Sequence, residues 1–327
     1  MIYDKKWLMR IIAGFGLAGV LIMAWLFYYT RTPNTLVQEQ QVIIRPGTSM
    51  HHIALALGEH GVVSHPYVFS FLLHISELGK KLKPGEYIFL PGMTPLKAYQ
   101  KLAAGDTVVH RLTIPEGITT TQILTLIRQA PYLEGDIPTE IEEGALLPET
   151  YACNYGDTRE SVVRRMQKAM DKTLEELWMK RSAGEVIKTK EEALTIASIV
   201  EKETRVEYER KKVASVFINR LQKNMRLQMD PTVIYAITKG KYPLERELSQ
   251  KDLEIDDAYN TYKYYGLPPG PITNPGRAAI EAALNPEQTE NLYFVADGKG
   301  GHLFSKTLKE HEKHVRDWRI LNAKKGK

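Results

Sequence analysis

Residues 194–210 read LTIASIVEKETRVEYER. Taken back to Lys190, the apolar members Ala193, Leu194, Ile196, Ala197, Ile199 and Val200 recur at about 100° per residue and fill one broad face, so the spacing predicts a helix over 190–203. Lys202 points away from that face. Glu201 and Glu203 follow the apolar run directly and, two positions apart, fall on its opposite flanks. They cannot form a same-side carboxylate pair. Each stands where a buried face meets solvent, and partial desolvation there raises a carboxyl above its usual ~4.3, toward the range of a general acid. The plainer alternative leaves both as solvated edge residues paired with Lys202 and Arg205, since surface glutamate is common on helices.

Around this helix the pattern predicts two more, over 161–181 and 208–222. Further on, RLQMDPTVIYAI at 226–237 gathers Gln228, Asp230, Thr232 and Tyr235 near a turn. The stretch AYNTYKYYGLPPGPITNPG at 258–276 sets Asn260, Thr261, Tyr262 and Asn274 among prolines and glycines. Rigid loops of this kind suit a saccharide, because aromatic rings stack on sugar faces while amides and hydroxyls pair with sugar hydroxyls. A proline-braced loop packed against the core is the competing reading. Beyond 237 the pattern turns to loops and short strands, including ENLYFVADGKGGHLFS with Phe304, and closes with a polar helix over 308–323.

Toward the N-terminus a strand, a Pro-Gly turn and an amphipathic helix recur three times, as VIIRPGTSMHHIALAL, YIFLPGMTPLKAYQKLAAG and RLTIPEGITTTQILTLI. Thr48, Thr94 and Thr119 are the expected helix caps. Residues 130–157 read as a long loop with a short buried segment at GALLPETY. Ahead of all this, residues 11–29 carry no charge and are long enough to cross a bilayer core. Lys5, Lys6 and Arg10 precede the run and Arg31 alone follows closely, so the positive-inside rule keeps the N-terminus cytoplasmic and sends the rest across. The run ends in bulky WLFYY rather than a small-residue cleavage site, which favours an uncleaved anchor.

With 327 residues, 43% hydrophobic and 25% charged, the chain can hold two packed units behind the anchor. A net charge of +5, with no basic stripe interleaved with aromatics, argues against nucleic acid as a partner. Cys153 is the single cysteine, so neither an internal disulfide nor a thiolate zinc site exists. His51 and His52 point to different helix faces. His311 and His314 share one face but lack a third ligand, so no metal and no cofactor is expected.

The first repeat, with HPYVFSFLLHI and the returning strand GEYIFL, resembles a LysM-type module, which grips the N-acetyl sugars of wall glycans; a purely structural role is the alternative. Together ASIVEKET, VASVFINRL, MRLQMDPTVIY, AYNTY, GLPPGPITNPG and LYFVADGKGGHLFSKTLKEH resemble, in order, the signatures of the endolytic murein transglycosylases, the YceG-like family. The resemblance implies an α+β chain: cytoplasmic residues 1–10, anchor 11–29, linker 30–41, LysM-like module 42–110 and catalytic domain 111–327. It implies a lyase of the inner membrane that cuts nascent peptidoglycan between N-acetylmuramic acid and N-acetylglucosamine, beside peptidoglycan synthases. The catalytic glutamate of the family falls on Glu203. A lytic transglycosylase needs one carboxyl, because the 6-hydroxyl of the muramic acid attacks and closes an anhydro ring, whereas a hydrolase needs two. Asp230 and Glu149 are the nearest candidates for a second. The other site residues implied or suggested, as substrate contacts, are Glu201, Gln228, Asp230, Thr232, Tyr235, Asn260, Thr261, Tyr262, Asn274 and Phe304. One departure is visible: KEHEKHV places Glu312 where the family has Asn. A non-catalytic wall-binding protein is the alternative from another class.

Overall fold

The computed structural model describes residues 5–75, 82–138, 140–182 and 184–325. The first four residues of the expected cytoplasmic segment and the last two of the chain lie outside the described residues. The chain divides into two compact units, Met1–His110 with Ala152–Asp157, and Arg111–Tyr151 with Thr158–Lys327.

The first unit opens with α1 (Lys5–Arg31), whose segment from Trp7 is long and apolar enough to cross a membrane. It continues through β1 (Gln40–Ile44), α2 (Met50–Glu59), α3 (Pro66–Ile75), β2 (Gly85–Phe89) and α4 (Pro95–Ala104). Strands β1 and β2 pair antiparallel, with Val42 opposite Tyr87. Val42, Ile44, Leu57, Phe69, Tyr87 and Leu102 close the core over them. Gly85 lies at φ +144, and a Cβ there would stand 2.4 Å from Thr107 Cγ2, so only glycine fits. Two of the three expected caps hold: Thr94 accepts the Lys97 N–H at 3.2 Å, and Thr119 forms a reciprocal capping box with Gln122. The third is corrected. Ser49, not Thr48, caps α2, while the Thr48 hydroxyl donates to Arg45 O at 2.8 Å and closes the Pro46–Gly47 turn instead.

The chain runs on through β3 (Val109–Thr113), α5 (Thr120–Gln129), β4 (Leu133–Glu134), β5 (Thr150–Asn154) and β6 (Asp157–Thr158), of which α5 and β4 lie wholly in the second unit. Here β3 pairs with β5 and β4 with β6. Helices α6 (Arg159–Trp178), α7 (Lys190–Glu203), α8 (Arg210–Gln222), α9 (Asp230–Thr238) and α10 (Arg277–Leu284) follow, then β7 (Tyr293–Ala296), β8 (His302–Ser305) and α11 (Leu308–Lys325). The helix α7 has the bounds its periodicity predicts, fixed at its start by a capping box between Thr189 and Glu192. Its apolar face, Ala193, Ile196, Ala197, Ile199 and Val200, is wholly buried against Val213 and Phe217 of α8 and Ala279, Ile280 and Ala283 of α10. Two expectations shift. The helix expected over 208–222 begins with a 3-10 turn, Glu207–Glu209, before α8. The stretch beyond 237, expected as loops and strands, contains α10, which supplies a central wall of this core.

Candidate active site

Glu203 is the last residue of α7, and its half-buried side chain opens on a cavity of about 380 Å³. Asp230, Gln228 and Met229 form one part of the wall, Tyr262 another, and Arg220, Tyr293, Phe294, Leu308 and His311 the rest. Burial pushes the Glu203 carboxyl up to about 7, and the neighbouring Asp230 carboxylate adds to it. A carboxyl so placed holds its proton near neutral pH and can deliver it to a bound oxygen.

The residues around Asp230 explain how it comes to face Glu203. Gln228 takes a left-handed conformation, φ +55, which turns the chain into α9. Its N–H donates to Thr261 O at 3.1 Å and the N–H of Met229 to Thr261 Oγ1 at 3.0 Å. Asp230 starts the helix with its side chain free to project, and Tyr262 donates its phenol to Asp230 Oδ1 at 2.5 Å. Behind them Arg220 of α8 is buried and spends its guanidinium on the carbonyls of Leu292, Arg226 and Leu227 at 2.6, 3.1 and 2.8 Å. It thereby ties β7 to the turn that carries Gln228.

Glu201 lies on the other flank, as its position two residues from Glu203 requires, and does not line the cavity. It is buried, accepts the N–H of Gly276 at 2.9 Å, and stands 3.7 Å from Arg210, which also reaches Glu116 at 3.6 Å. Burial raises this carboxyl as well. With its oxygens so engaged, Glu201 fastens the end of α7 to the start of α10.

Of the other residues singled out in the sequence, the cavity brings together Gln228, Asp230 and Tyr262. Thr232, Asn260, Thr261 and Asn274 are at most 2% exposed, and their polar atoms are spent inside the protein. Asn274 accepts the N–H of Leu146 at 2.9 Å and donates to Ile118 O, Thr120 Oγ1 and Glu143 Oε1. Asn260 donates to Leu253 O and Ile255 O and accepts the N–H of Tyr262, which sets that ring in place. Thr232 and Thr261 join hydroxyls at 2.8 Å. In this structure these four act as braces, because buried amides and hydroxyls must be satisfied and other residues of the chain satisfy them. Tyr235 packs against Tyr259 with ring centroids 4.8 Å apart and meets Glu143, away from the cavity. Phe304 stands behind Phe294, 6.0 Å between ring centroids.

Arg220, Tyr293, Phe294, Leu308 and His311 were not singled out as binding residues from the sequence. His311 stacks on Tyr293 with centroids 5.1 Å apart, and its Nδ1 is buried with no hydrogen-bond partner among the described residues. Burial, then the Arg220 charge, holds this imidazole below its usual range, so it is neutral. His314, one turn on, instead meets Ser305 Oγ at 2.9 Å. Glu312 is exposed and is not part of the cavity wall.

Comparisons with known proteins agree with one another. The chain is similar to an endolytic murein transglycosylase of Bacillus subtilis, 36% identical over 304 residues, covering 83% of this chain and 82% of that protein. It is similar to a protein of the same name from Streptococcus pneumoniae, 32% identical over 321 residues, covering 83% of this chain and 57% of the longer pneumococcal one. A crystal structure of a YceG-like protein from Listeria monocytogenes superposes with a TM-score of 0.52 at 35% identity, covering 84% of this chain and 99% of that one. The YceG-like family matches residues 42–317, a span that takes in α7, the cavity and every wall residue described above, and the chain belongs to that family.

Proposed function

We propose that the chain is a peptidoglycan lytic transglycosylase in which Glu203 acts first as acid and then as base. The observation that carries this reading is the carboxyl of Glu203, raised to about 7 at the wall of a cavity that also presents tyrosines and an arginine. The names of its relatives support the substrate. Protonated Glu203 gives its proton to the glycosidic oxygen between N-acetylmuramic acid and N-acetylglucosamine, and the C1–O4 bond breaks. The 6-hydroxyl oxygen of the same muramic acid bonds to C1 and closes the 1,6-anhydro ring. The hydroxyl proton passes to the Glu203 carboxylate, which restores the acid, and no water is consumed.

A second reading, hydrolysis, is favoured by Asp230, which brings another carboxylate to the same cavity. Digestion of purified peptidoglycan separates the two. Mass spectrometry of the products is expected to find 1,6-anhydromuramyl ends from the unaltered chain and none from Glu203→Gln. Reducing ends in their place would establish hydrolysis, and an absence of any cleavage would leave a protein that only holds glycan.

The chain is anchored once, on this reading, by α1 with its N-terminus in the cytoplasm; the cations Lys5, Lys6 and Arg10 before the apolar run support that orientation. The catalytic unit then acts outside the inner membrane. We read the first unit as LysM-like, supported by its β1–α2–α3–β2 order with antiparallel outer strands. Peptidoglycan synthases are the partners this function implies, supported by family membership alone.

A further inference from the structure

The first unit carries an apolar surface that its own core leaves uncovered. Helix α3, PYVFSFLLHI, contains no Asp, Glu, Lys or Arg. Its Tyr67, Phe71 and Ile75 recur four residues apart, so they form one stripe, and they are 71%, 56% and 63% exposed. Ile75 also lines a second cavity of about 380 Å³, together with Leu72 of the same helix, Leu96 and Tyr99 of α4, and Thr30 of α1. Leu96 is itself 38% exposed. Isolated surface apolar residues need no explanation, but a stripe continuous with an apolar cavity does.

The position of this surface identifies what covers it. The hydroxyl of Tyr29, near the end of α1, donates to the carbonyl of His65, the residue that precedes α3, at 3.1 Å. The rings of Trp25 and Tyr29 lie 5.9 and 5.7 Å from the His65 imidazole. Tryptophan and tyrosine near the end of a membrane-spanning helix mark the headgroup level. The start of α3 is therefore held at that level, where an uncharged helix with an apolar stripe meets acyl chains. Because the anchor brings lipid to this face in every copy of the chain, lipid is the occupant ahead of any protein.

We propose that α3, with the cavity it shares with Thr30, is seated in the membrane interface and takes up phospholipid acyl chains from the leaflet that holds the C-terminal end of α1. The proposal rests on the reading of α1 as a membrane anchor and adds a second point of attachment, which holds the first unit against the bilayer rather than letting it swing from the linker.

The test uses the full chain reconstituted in vesicles of phosphatidylcholine and phosphatidylglycerol. Single cysteines are placed at Val20 in the anchor, at Phe71 on the stripe and at Tyr265 on the second unit, each exposed, and are labelled with a nitroxide. Cys153 is buried, and the unaltered chain measures its background labelling. Collision rates are compared for oxygen, which concentrates in lipid, and a nickel chelate, which stays in water. The oxygen-to-nickel ratio at Val20 and Phe71 is expected to exceed that at Tyr265 several-fold. Should Phe71→Cys fail to fold, Tyr67→Cys and Ile75→Cys give the same readout. A Phe71 ratio equal to that of Tyr265, with Val20 in lipid, overturns the seating of α3 and leaves the anchor standing. Phe71 shielded from both reagents means coverage by a second copy and also overturns it. A water-like Val20 overturns anchor and seating together.

Discussion

Tyr262 donates its phenol to Asp230 at 2.5 Å, and that bond keeps a carboxylate at the cavity wall where its charge reaches Glu203. The pair joins the first residue of α9 to a loop 32 residues further along the chain. Asn260 positions the backbone of Tyr262, and Thr261 positions the turn before Asp230.

Removal of that charge is expected to make Glu203 a stronger acid. In Asp230→Asn the alkaline limb of kcat/KM should move to lower pH, by less than about one unit, because burial is the larger cause of the shift. Anhydro products should persist at a reduced rate. A pH profile superposable on that of the unaltered chain would show that Asp230 does not act on Glu203.

The two glutamates of α7 should separate cleanly in kinetics. Glu203→Gln is expected to lower kcat by at least about 10³, near the upper contribution of a general acid. Glu201→Gln should keep measurable turnover and lose stability, on the order of 2 kcal/mol, as a charge-assisted bond to Gly276 becomes a neutral one. Turnover and thermal unfolding measured on both variants check the ranking, and the reverse order would mean that the wrong carboxylate has been assigned.

Stability carries its own signature of the raised carboxyl. The fold favours protonated Glu203, whose carboxyl titrates near 7 instead of its ordinary 4.5, so its contribution is whole below 4.5 and is lost as pH rises through 7. Glu203→Gln lacks this titration. The variant should gain on the unaltered chain between pH 4.5 and pH 8, by about 3 kcal/mol. Chemical denaturation at the two pH values measures it, and an equal difference at both would rule the effect out.

Asn274 tests the distinction between ligand and brace. Asn274→Ala strands the N–H of Leu146 and removes the donor that serves Thr120 and Glu143, and should cost about 3 kcal/mol. The folded fraction should retain its KM for glycan within about twofold. A large rise in KM without loss of stability would return Asn274 to the binding site.

Periodicity made α7 legible to the residue, because its apolar residues recur at helical spacing from Ala193 to Val200. The flanks of that face also followed from two-residue spacing, which put Glu201 and Glu203 on different surfaces. The polar loops were harder. A sequence shows that Asn260, Thr261 and Asn274 carry hydrogen-bonding groups but not whether those groups meet a ligand or other parts of the chain, and here other parts of the chain take them. Thr48 and Ser49 illustrate the same limit at short range, since either hydroxyl could cap and the turn decides. Arg220, Tyr293 and His311 reach one cavity from a helix, a strand and a second helix, and no local pattern marks such convergence.

The place where α7 stops has a consequence for the acid it carries. Thr204 leaves the helix in an extended conformation, so Glu203 sits among the last carbonyls, the end at which a helix macrodipole concentrates roughly half a negative charge. That field opposes ionisation in the same direction as burial and Asp230, and it belongs to the backbone. No side-chain substitution removes it. The helix end thus adds to what burial and Asp230 do for the proton of Glu203, and an insertion that extended α7 by a further turn would strip away this part of its acidity control while leaving every cavity side chain in the sequence.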